Sequence, residues 1–543
     1  MNKKQMIIAS LIFLSTFSRL FSACFPPVPQ SEFSFSQPLP TPDEDMMTVL
    51  ETCGPIIPIN LSEVIRNTIT LRPQTGIQVE DVTIQRGVVQ QNAGPFDWLT
   101  DLEFSQNNLT DVFVIGLQSN LDGSISRGIL QESKKFRTGT EVTLSFEADT
   151  TNNPSSILIP TFSNAIINFR VLQPVLRGFL YGQDTITERA SKYELKAVYY
   201  DALHNISDLI RQSLIAYWDV VRSQKVLKVL KESVESFETL ANKTQRLIDE
   251  DQLARSEINQ PLAQLAAEQI NLKLAEQRLY TDVQNLKFSM GTVAIDCFSD
   301  SLLYAVNSFP NVEEDLDVCK IMKTLTGYAL KHRLDNLASE IRIEELAVLV
   351  KGAENQRLPR LDFFYDFFLR QIKRGEGSRY FFSSYDFPDP QRDNAVGIIF
   401  SYPLCNNAAR GLYRSLKAEW RRQMLRTDEL SQQIVAEVMD AWMNHIRLQQ
   451  ELKSATESVN RFQQLVTDEN KRLSEGIGSL FNLVEFQTRL TQAQTREINI
   501  KRDLGENLAN LHFFTGSLLR PGSNLCSIDV EDVTDIPFVE CCR

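Results

Sequence analysis

Histidine is scarce in this chain of 543 residues: only His204, His332, His445 and His512 occur. None stands three or four residues from another, which excludes the helix-borne metal pair that such spacing creates. The eight cysteines include no CxxC pair, so zinc-ribbon and dithiol redox chemistry have no ligand set. Positive charge is also short, with 56 Lys plus Arg against 69 Asp plus Glu and a net charge of −13. Binding to nucleic acid through phosphate neutralisation is disfavoured by that balance. A mean hydropathy of −0.20 excludes a bundle of membrane-spanning helices. No nucleophile elbow, P-loop or dinucleotide fingerprint is present, so the sequence implies neither an enzyme nor a cofactor. What remains is a folded composition, 43% hydrophobic and 23% charged.

The amino terminus reads as an export address. Lys3 and Lys4 precede an apolar stretch from Met6 to Phe17, too short to span a bilayer and suited to a signal peptide over residues 1–23. Small residues, Ser22-Ala23, stand directly before Cys24, as in bacterial lipoproteins, which makes Cys24 the candidate for lipidation. Residues 24–58 are rich in Pro, Ser and Gln at their start and form an extended tether. Cys297 and Cys319 flank a short polar insert and are the candidate disulfide, with buried or unpaired thiols as the alternative.

Helix breakers are missing over very long stretches. Between Gly182 and Gly291 lie 108 residues without glycine and with one proline, Pro261; between Gly411 and Gly476 lie 64 without either. Such sparseness predicts helices of about 60 to 70 residues, near 100 Å long. Leu265, Leu272, Leu279 and Leu286 recur every seven residues, a coiled-coil seam. The two stretches are copies: a shift of 225 places Ala216-Tyr217 on Ala441-Trp442, Leu286 on Leu511 and Gly291 on Gly516. Each copy breaks once, at Asp249-Glu250-Asp251-Gln252 and at Ser474-Glu475-Gly476-Ile477-Gly478, which predicts two antiparallel helices joined by a tight turn. Pro261 is expected to bend the helix it enters. Trp218 and Trp442 are expected to be packing anchors.

Upstream of each helical pair the period changes to two. Val142, Leu144, Phe146 and Ala148 alternate with Glu141, Thr143, Ser145 and Glu147, and Ala165, Ile167, Phe169 and Val171 alternate with Asn164, Ile166, Asn168 and Arg170. Leu361, Phe363, Tyr365, Phe367 and Leu369 oppose Asp362, Asp366 and Arg370, and a fourth segment runs from Val396 to Tyr402. These have the length and dyad pattern of transmembrane barrel strands. Four strands cannot close a barrel and open edges are not tolerated in lipid, so the chain is expected to oligomerise.

With these segments in order, the sequence resembles the TolC family of outer membrane channel-tunnel proteins from about Ile59 to Gly516. The marks are Asn92 through Asp97 after the first helix, Leu172-Gln173-Pro174-Val175-Leu176-Arg177-Gly178, Ala216-Tyr217-Trp218-Asp219, Val396-Gly397 through Tyr402-Pro403-Leu404, and Leu511 through Thr515-Gly516. The resemblance implies an α+β, mainly α fold. It implies a homotrimer with a twelve-stranded barrel in the bacterial outer membrane, four strands per chain, in contact with outer membrane lipids. A helical tunnel would lie in the periplasm. The layout is then a first repeat over 59–291, a connecting insert over 292–320, a second repeat over 321–516 and a tail over 517–543. Implied partners are a periplasmic adaptor and an inner-membrane transporter, for drug efflux or type I secretion. The adaptor would dock on the turns, Glu250, Asp251, Gln252 and Leu253 in one copy and Glu475, Gly476, Ile477 and Gly478 in the other. The family's paired acids at the periplasmic gate correspond to Asn482 and Glu485, with Glu257 in the first copy. A coiled-coil envelope lipoprotein without a pore is the alternative, but it has no use for the alternating strands. An exported enzyme on a helical scaffold lacks a catalytic constellation.

Overall fold

A computed structural model describes residues 56–115, 117–152, 162–250, 253–293, 301–310, 318–374 and 389–519. The signal peptide, Cys24, Cys297, Asp251, Gln252 and residues 520–543 lie outside the described residues.

Folding starts where the sequence places it. Strand β1 (Ile56–Ile59) leads into helix α1 (Leu61–Leu71), whose N-cap Asn60 accepts a hydrogen bond from the Glu63 amide at 2.8 Å. Arg72 is extended, and Pro73 opens α2 (Pro73–Ala93), where its missing N–H costs nothing. Four strands follow: β2 (Trp98–Ile115), β3 (Leu117–Lys135), β4 (Glu141–Asn152) and β5 (Phe162–Pro174). Helix α3 (Gln183–Asp249) runs 67 residues and α4 (Asn259–Met290) returns along it. The second half repeats the order with β6 (Leu302–Ala305), α5 (Val318–His332), α6 (Leu334–Gln356), β7 (Arg360–Arg374), β8 (Gln391–Ser401), α7 (Asn407–Ser474) and α8 (Leu480–Thr515). At 67 and 68 residues, α3 and α7 match the lengths expected from the missing glycines and prolines.

Helices α4 and α8 cover only half of their long partners. The remaining length of α3 is covered by α2 and α6, and α6 also packs on α7. No single core results; apolar clusters are strung along the helices. The largest gathers Ile210, Leu214, Tyr217, Val283, Leu286 and Met290 beneath the parallel pair β1–β6. A second surrounds Trp442, and a third, with Phe237, Leu240, Leu483 and Val484, lies next to the second helical turn. Tyr217 and Trp442, superposed by the shift of 225, are both buried, as are Leu286 and Leu511. Leu279 and Leu286 of the heptad seam are buried and Leu265 and Leu272 partly so. Trp218 is likewise buried, with its ring against Tyr217 and Phe309. Pro261 differs from expectation: α4 begins at Asn259, so the proline sits in the first turn and bends nothing.

The second sheet has six strands, in the order β2-β3-β4-β5-β7-β8, every neighbour antiparallel. The four strands expected from the sequence are β4, β5, β7 and β8. The hairpin of β2 and β3 adds two strands to the sheet beyond the four expected from the sequence. These two strands left a weak trace because Gly123 and Gly128 interrupt β3 and the alternation of β2 holds only from Trp98 to Phe104.

Candidate functional site

Register, rather than any one strand, defines the first part of the site. The pairings carry Phe146 to Ile167, Ile167 to Leu369, Val171 to Tyr365 and Tyr365 to Val396. Cross-strand partners share a face. All four greasy faces read from the sequence therefore fall on one side of the sheet. The other side carries the charges. Arg127 pairs with Glu147 at 2.7 Å, Asn164 donates to Asp149 at 3.0 Å, and Arg170 lies 3.5 Å from Asp366. Arg170 also lies over the Phe364 ring, which fills the space where Gly397 has no side chain: a Cβ there would approach the ring to 2.5 Å. Apolar side chains on one face of the sheet and ion pairs on the other follow from the period of two.

At its base the sheet is tied to the helices. Arg137, in the turn between β3 and β4, donates from Nε and Nη2 to the Glu188 carboxylate on α3 at 2.7 and 2.8 Å, and Lys192 Nζ adds a bond at 2.8 Å. The Arg137 hydrogen bonds, with help from Lys192, hold the buried Glu188 carboxyl down to about 2. Asn355 at the end of α6 accepts from the Gly178 amide at 2.8 Å and donates to the Leu176 carbonyl at 3.3 Å. Between these contacts lies a cavity of about 680 Å³ lined by Glu141, Arg177, Asp184, Arg360 and Asn406 among others.

The opposite ends of α3 and α7 carry the turns. In the second turn Gly476 has φ +76°, and the amides of Ile477 and Gly478 both donate to the Arg472 carbonyl, at 3.0 and 2.9 Å. A Cβ on Gly478 would lie 2.4 Å from the Leu473 nitrogen, so only glycine fits. Glu469, buried on α7, accepts from the Ser479 amide at 2.7 Å and so fastens the start of α8. Glu475 and Gly476 are exposed, and Ile477 is 68% exposed at the tip. The first turn is built differently, with a short 3-10 helix (Arg255–Ile258) before α4; Glu250 is exposed and Leu253 half-buried.

Asn482 and Glu485 share the open face of α8, while Leu483 and Val484 face the apolar cluster. Glu257 is exposed on the 3-10 helix of the other turn. Glu485 is not a bare charge: Arg489 Nε donates to it at 2.6 Å, one turn on. Arg489 and Glu469 were missed by the sequence reading, although the Glu485–Arg489 spacing of four residues was there to be found. Among the described residues there is no cluster of side chains able to hold a metal, and no helix is long and apolar enough to cross a membrane.

Long paired helices joined to a two-faced antiparallel sheet define the architecture of outer-membrane channels. Three solved structures share it. The channel OprN is 14% identical over 84% of this chain and 89% of its own, with a TM-score of 0.62. CmeC of Campylobacter jejuni is 14% identical over 95% and 99%, at 0.60. VceC of Vibrio cholerae is 14% identical over 84% and 96%, at 0.59. No curated protein is significantly similar in sequence. Residues 325–517 match the family model of the outer membrane efflux proteins, and the resemblance to the TolC family is borne out.

Proposed function

We propose that this chain is one protomer of a trimeric outer-membrane export channel whose helices form a periplasmic tunnel. The observation that carries the reading is the sheet: a continuous apolar face, a charged face and two unpaired edges, β2 and β8. Such edges leave backbone groups unsatisfied in lipid, and closure between copies satisfies them. In a trimer the four strands expected from the sequence would give twelve, and the six of the observed sheet eighteen. Both halves run from two shorter helices through a sheet hairpin to a helical pair, the first with one hairpin more, and that order supports a duplicated gene.

The turns are the natural docking points for a periplasmic adaptor, and through it for an inner-membrane pump. They lie at the ends of α3 and α7 remote from the sheet and expose Glu250, Glu475 and Ile477. Asn482, Glu485 and Glu257 are the candidates for the constriction. Threefold symmetry makes each a ring, and the field of such a ring acts within a Debye length of about 8 Å. Cys24 is the candidate lipid anchor, and Cys297 with Cys319 the candidate bridge. The sequence and fold name no cargo, which fits either drug efflux or type I secretion.

The test is conductance of the purified full chain in planar bilayers. Discrete, long-lived open steps are expected. Absence of any pore across the accessible voltage range, from protein that is demonstrably oligomeric, favours the spacer lipoprotein instead.

A further inference from the structure

We infer, resting on the channel reading above, that α2 of one copy packs against α7 of the next as α6 packs against α3 within the chain. In that outer seam the Arg342–Asp201 ion pair of the inner one returns with its charges exchanged, as Asp81–Arg426. The occupant of the open face of α2 is thus a second copy of this chain.

Four helices form a row, with α2 on α3, α3 on α6 and α6 on α7. Its two halves superpose residue by residue. The shift of 225 carries α3 onto α7, and a shift of 261 carries α2 onto α6. Arg72 and Arg333 are the extended N-cap residues of the two shorter helices, and Pro73 and Leu334 their first residues. One pair of contacts obeys both shifts: Arg72 donates to Gln212 on α3 at 3.0 Å, and Arg333 donates to Glu437 on α7. Helix α2 therefore lies on α3 as α6 lies on α7. The seam of α6 on α3 then has its counterpart in a seam of α2 on α7. Those two helices end the row with α3 and α6 between them, so a second copy has to complete that seam.

The inner seam shows what the outer one needs. Ala338 of α6 packs with Ala197, Tyr193 and Tyr200 of α3, and Arg342 pairs with Asp201 and lies 3.4 Å from Glu194. The shifts carry Ala338, Arg342 and Glu345 onto Ile77, Asp81 and Ile84 of α2. They carry Tyr200, Asp201 and Glu194 onto Leu425, Arg426 and Glu419 of α7. Thr75 and Val82 are the buried residues of α2, whereas Ile77, Asp81 and Ile84 form an open stripe at i, i+4 and i+7. Ile77 is 56%, Ile84 63% and Leu425 69% exposed. Asp81 and Arg426 are both exposed and form no ion pair among the described residues, while Glu419 is taken up by Arg422 at 2.6 Å. The exchange of sign keeps the attraction and also sorts the helices. Helix α2 in the place of α6 would set Asp81 against Asp201, and α6 on α7 of another copy would set Arg342 against Arg426. Like charges oppose both wrong seams, so each shorter helix is directed to its own.

Two measurements on the detergent-extracted full chain test this. With Asp81→Cys and Arg426→Cys together, a short bis-maleimide should join separate copies into a ladder that ends at the closed oligomer. Each single variant should give no ladder, which also controls for the exposed Cys405. At low salt, Asp81→Arg or Arg426→Asp alone should favour dissociation of the oligomer. A loss of about threefold at each of three seams multiplies to about thirtyfold, and the two reversals together should restore the parent's behaviour. If the double-cysteine chain links only within itself, or the single reversals cost nothing, or the double reversal recovers nothing, while oligomer and pore persist, the seam is wrong and the channel reading stands. If the parent chain forms neither oligomer nor pore, the channel reading itself falls.

Discussion

Two glycines, Gly291 and Gly516, allow a graded test of how the helical pairs are locked to the rest of the chain. They end α4 and α8 with φ +75° and +73°, each in the left-handed region. Each is pressed against the break between the two shorter helices of its own half. A Cβ on Gly291 would lie 2.6 Å from Arg72 Cα, 2.7 Å from the Leu71 carbonyl oxygen and 2.9 Å from Arg72 N. On Gly516 the equivalent contacts are 2.9 Å to Arg333 Cα and 3.1 Å to Arg333 N and the His332 oxygen. The left-handed conformation costs an L-residue about 1–2 kcal/mol. Overpacking against atoms that cannot rotate away adds about 1–3 kcal/mol. Gly291→Ala should therefore destabilise by roughly 3–4 kcal/mol and Gly516→Ala by roughly 2–3 kcal/mol. Gly476, with φ +76° but nothing within 4 Å, separates the two terms, and Gly476→Ala should cost only about 1–2 kcal/mol. Gly327, in the middle of α5 with nothing within 4 Å, should gain about 0.5–1 kcal/mol on change to Ala. The assay is thermal loss of helical circular dichroism in detergent for the four variants and the parent. If Gly291→Ala melts no earlier than Gly476→Ala, backbone contact does not set the joint and the reasoning is refuted.

Three further outcomes follow from the electrostatics. His445 is wholly buried against Trp442 with no partner on Nδ1, and burial pushes its imidazole down to about 4. The unfolded imidazole titrates near 6.5, so stability should be lost as pH falls from about 6.5 to about 4, by up to about 3 kcal/mol; His445→Leu should flatten that window, and an unchanged melting profile would refute it. Glu188 is depressed to about 2, so its contribution is present above the unfolded value near 4.5 and is lost as pH falls through 4.5 toward 2. Glu188→Gln should cost about 2–3 kcal/mol at pH 7 and well under about 1 kcal/mol at pH 2, read by denaturant unfolding in detergent. At the candidate constriction, Glu485→Gln should leave Arg489 uncompensated and shift single-channel selectivity toward anions, whereas Arg489→Gln should strengthen cation preference; equal reversal potentials for both variants would place this face of α8 away from the pore.

Much of this architecture could be read before any coordinates because long-range features leave long-range traces. A helix of 67 residues shows itself by what it excludes, and no local propensity is needed to find it. A shift of 225 brings Gly291 onto Gly516, and both turn out to cap a returning helix in the same backbone conformation. The hairpin of β2 and β3 left a weaker trace. Its alternation holds only from Trp98 to Phe104 on one strand, and Gly123 and Gly128 break it on the other. A strand at the edge of a sheet is specified by a partner it has not yet met, and that partner is not written in its own residues. Pro261 shows the reverse error. The proline was visible, but its meaning depended on where α4 began, and helix boundaries are poorly marked when the N-cap position is Ile258, which makes no side-chain cap.

The turns show why sites are harder to read than folds. Sequence placed the breaks where the helices end and already set the turns apart, since only the second keeps a glycine, Gly476, where the first has Asp251. The second turn is closed by Gly478, where no Cβ fits, and by the buried carboxylate of Glu469 on the Ser479 amide. Under the shift of 225 the first copy has Leu253 and Thr244 at those two positions, and Thr244 bonds instead to the Leu240 carbonyl of its own helix. The first copy therefore cannot make the same tight closure, and it uses a 3-10 helix (Arg255–Ile258) to bring α4 back. Positions 225 apart stay alike along the rods because apolar packing tolerates substitution, whereas a turn depends on one or two atoms. In a trimer the two kinds of turn would alternate around the periplasmic rim. A threefold partner would then meet two different surfaces, one fastened by Glu469 and one not. Contacts to the adaptor should consequently divide unequally between Ile477 and Glu250, with the turn fastened by Glu469 carrying the larger share.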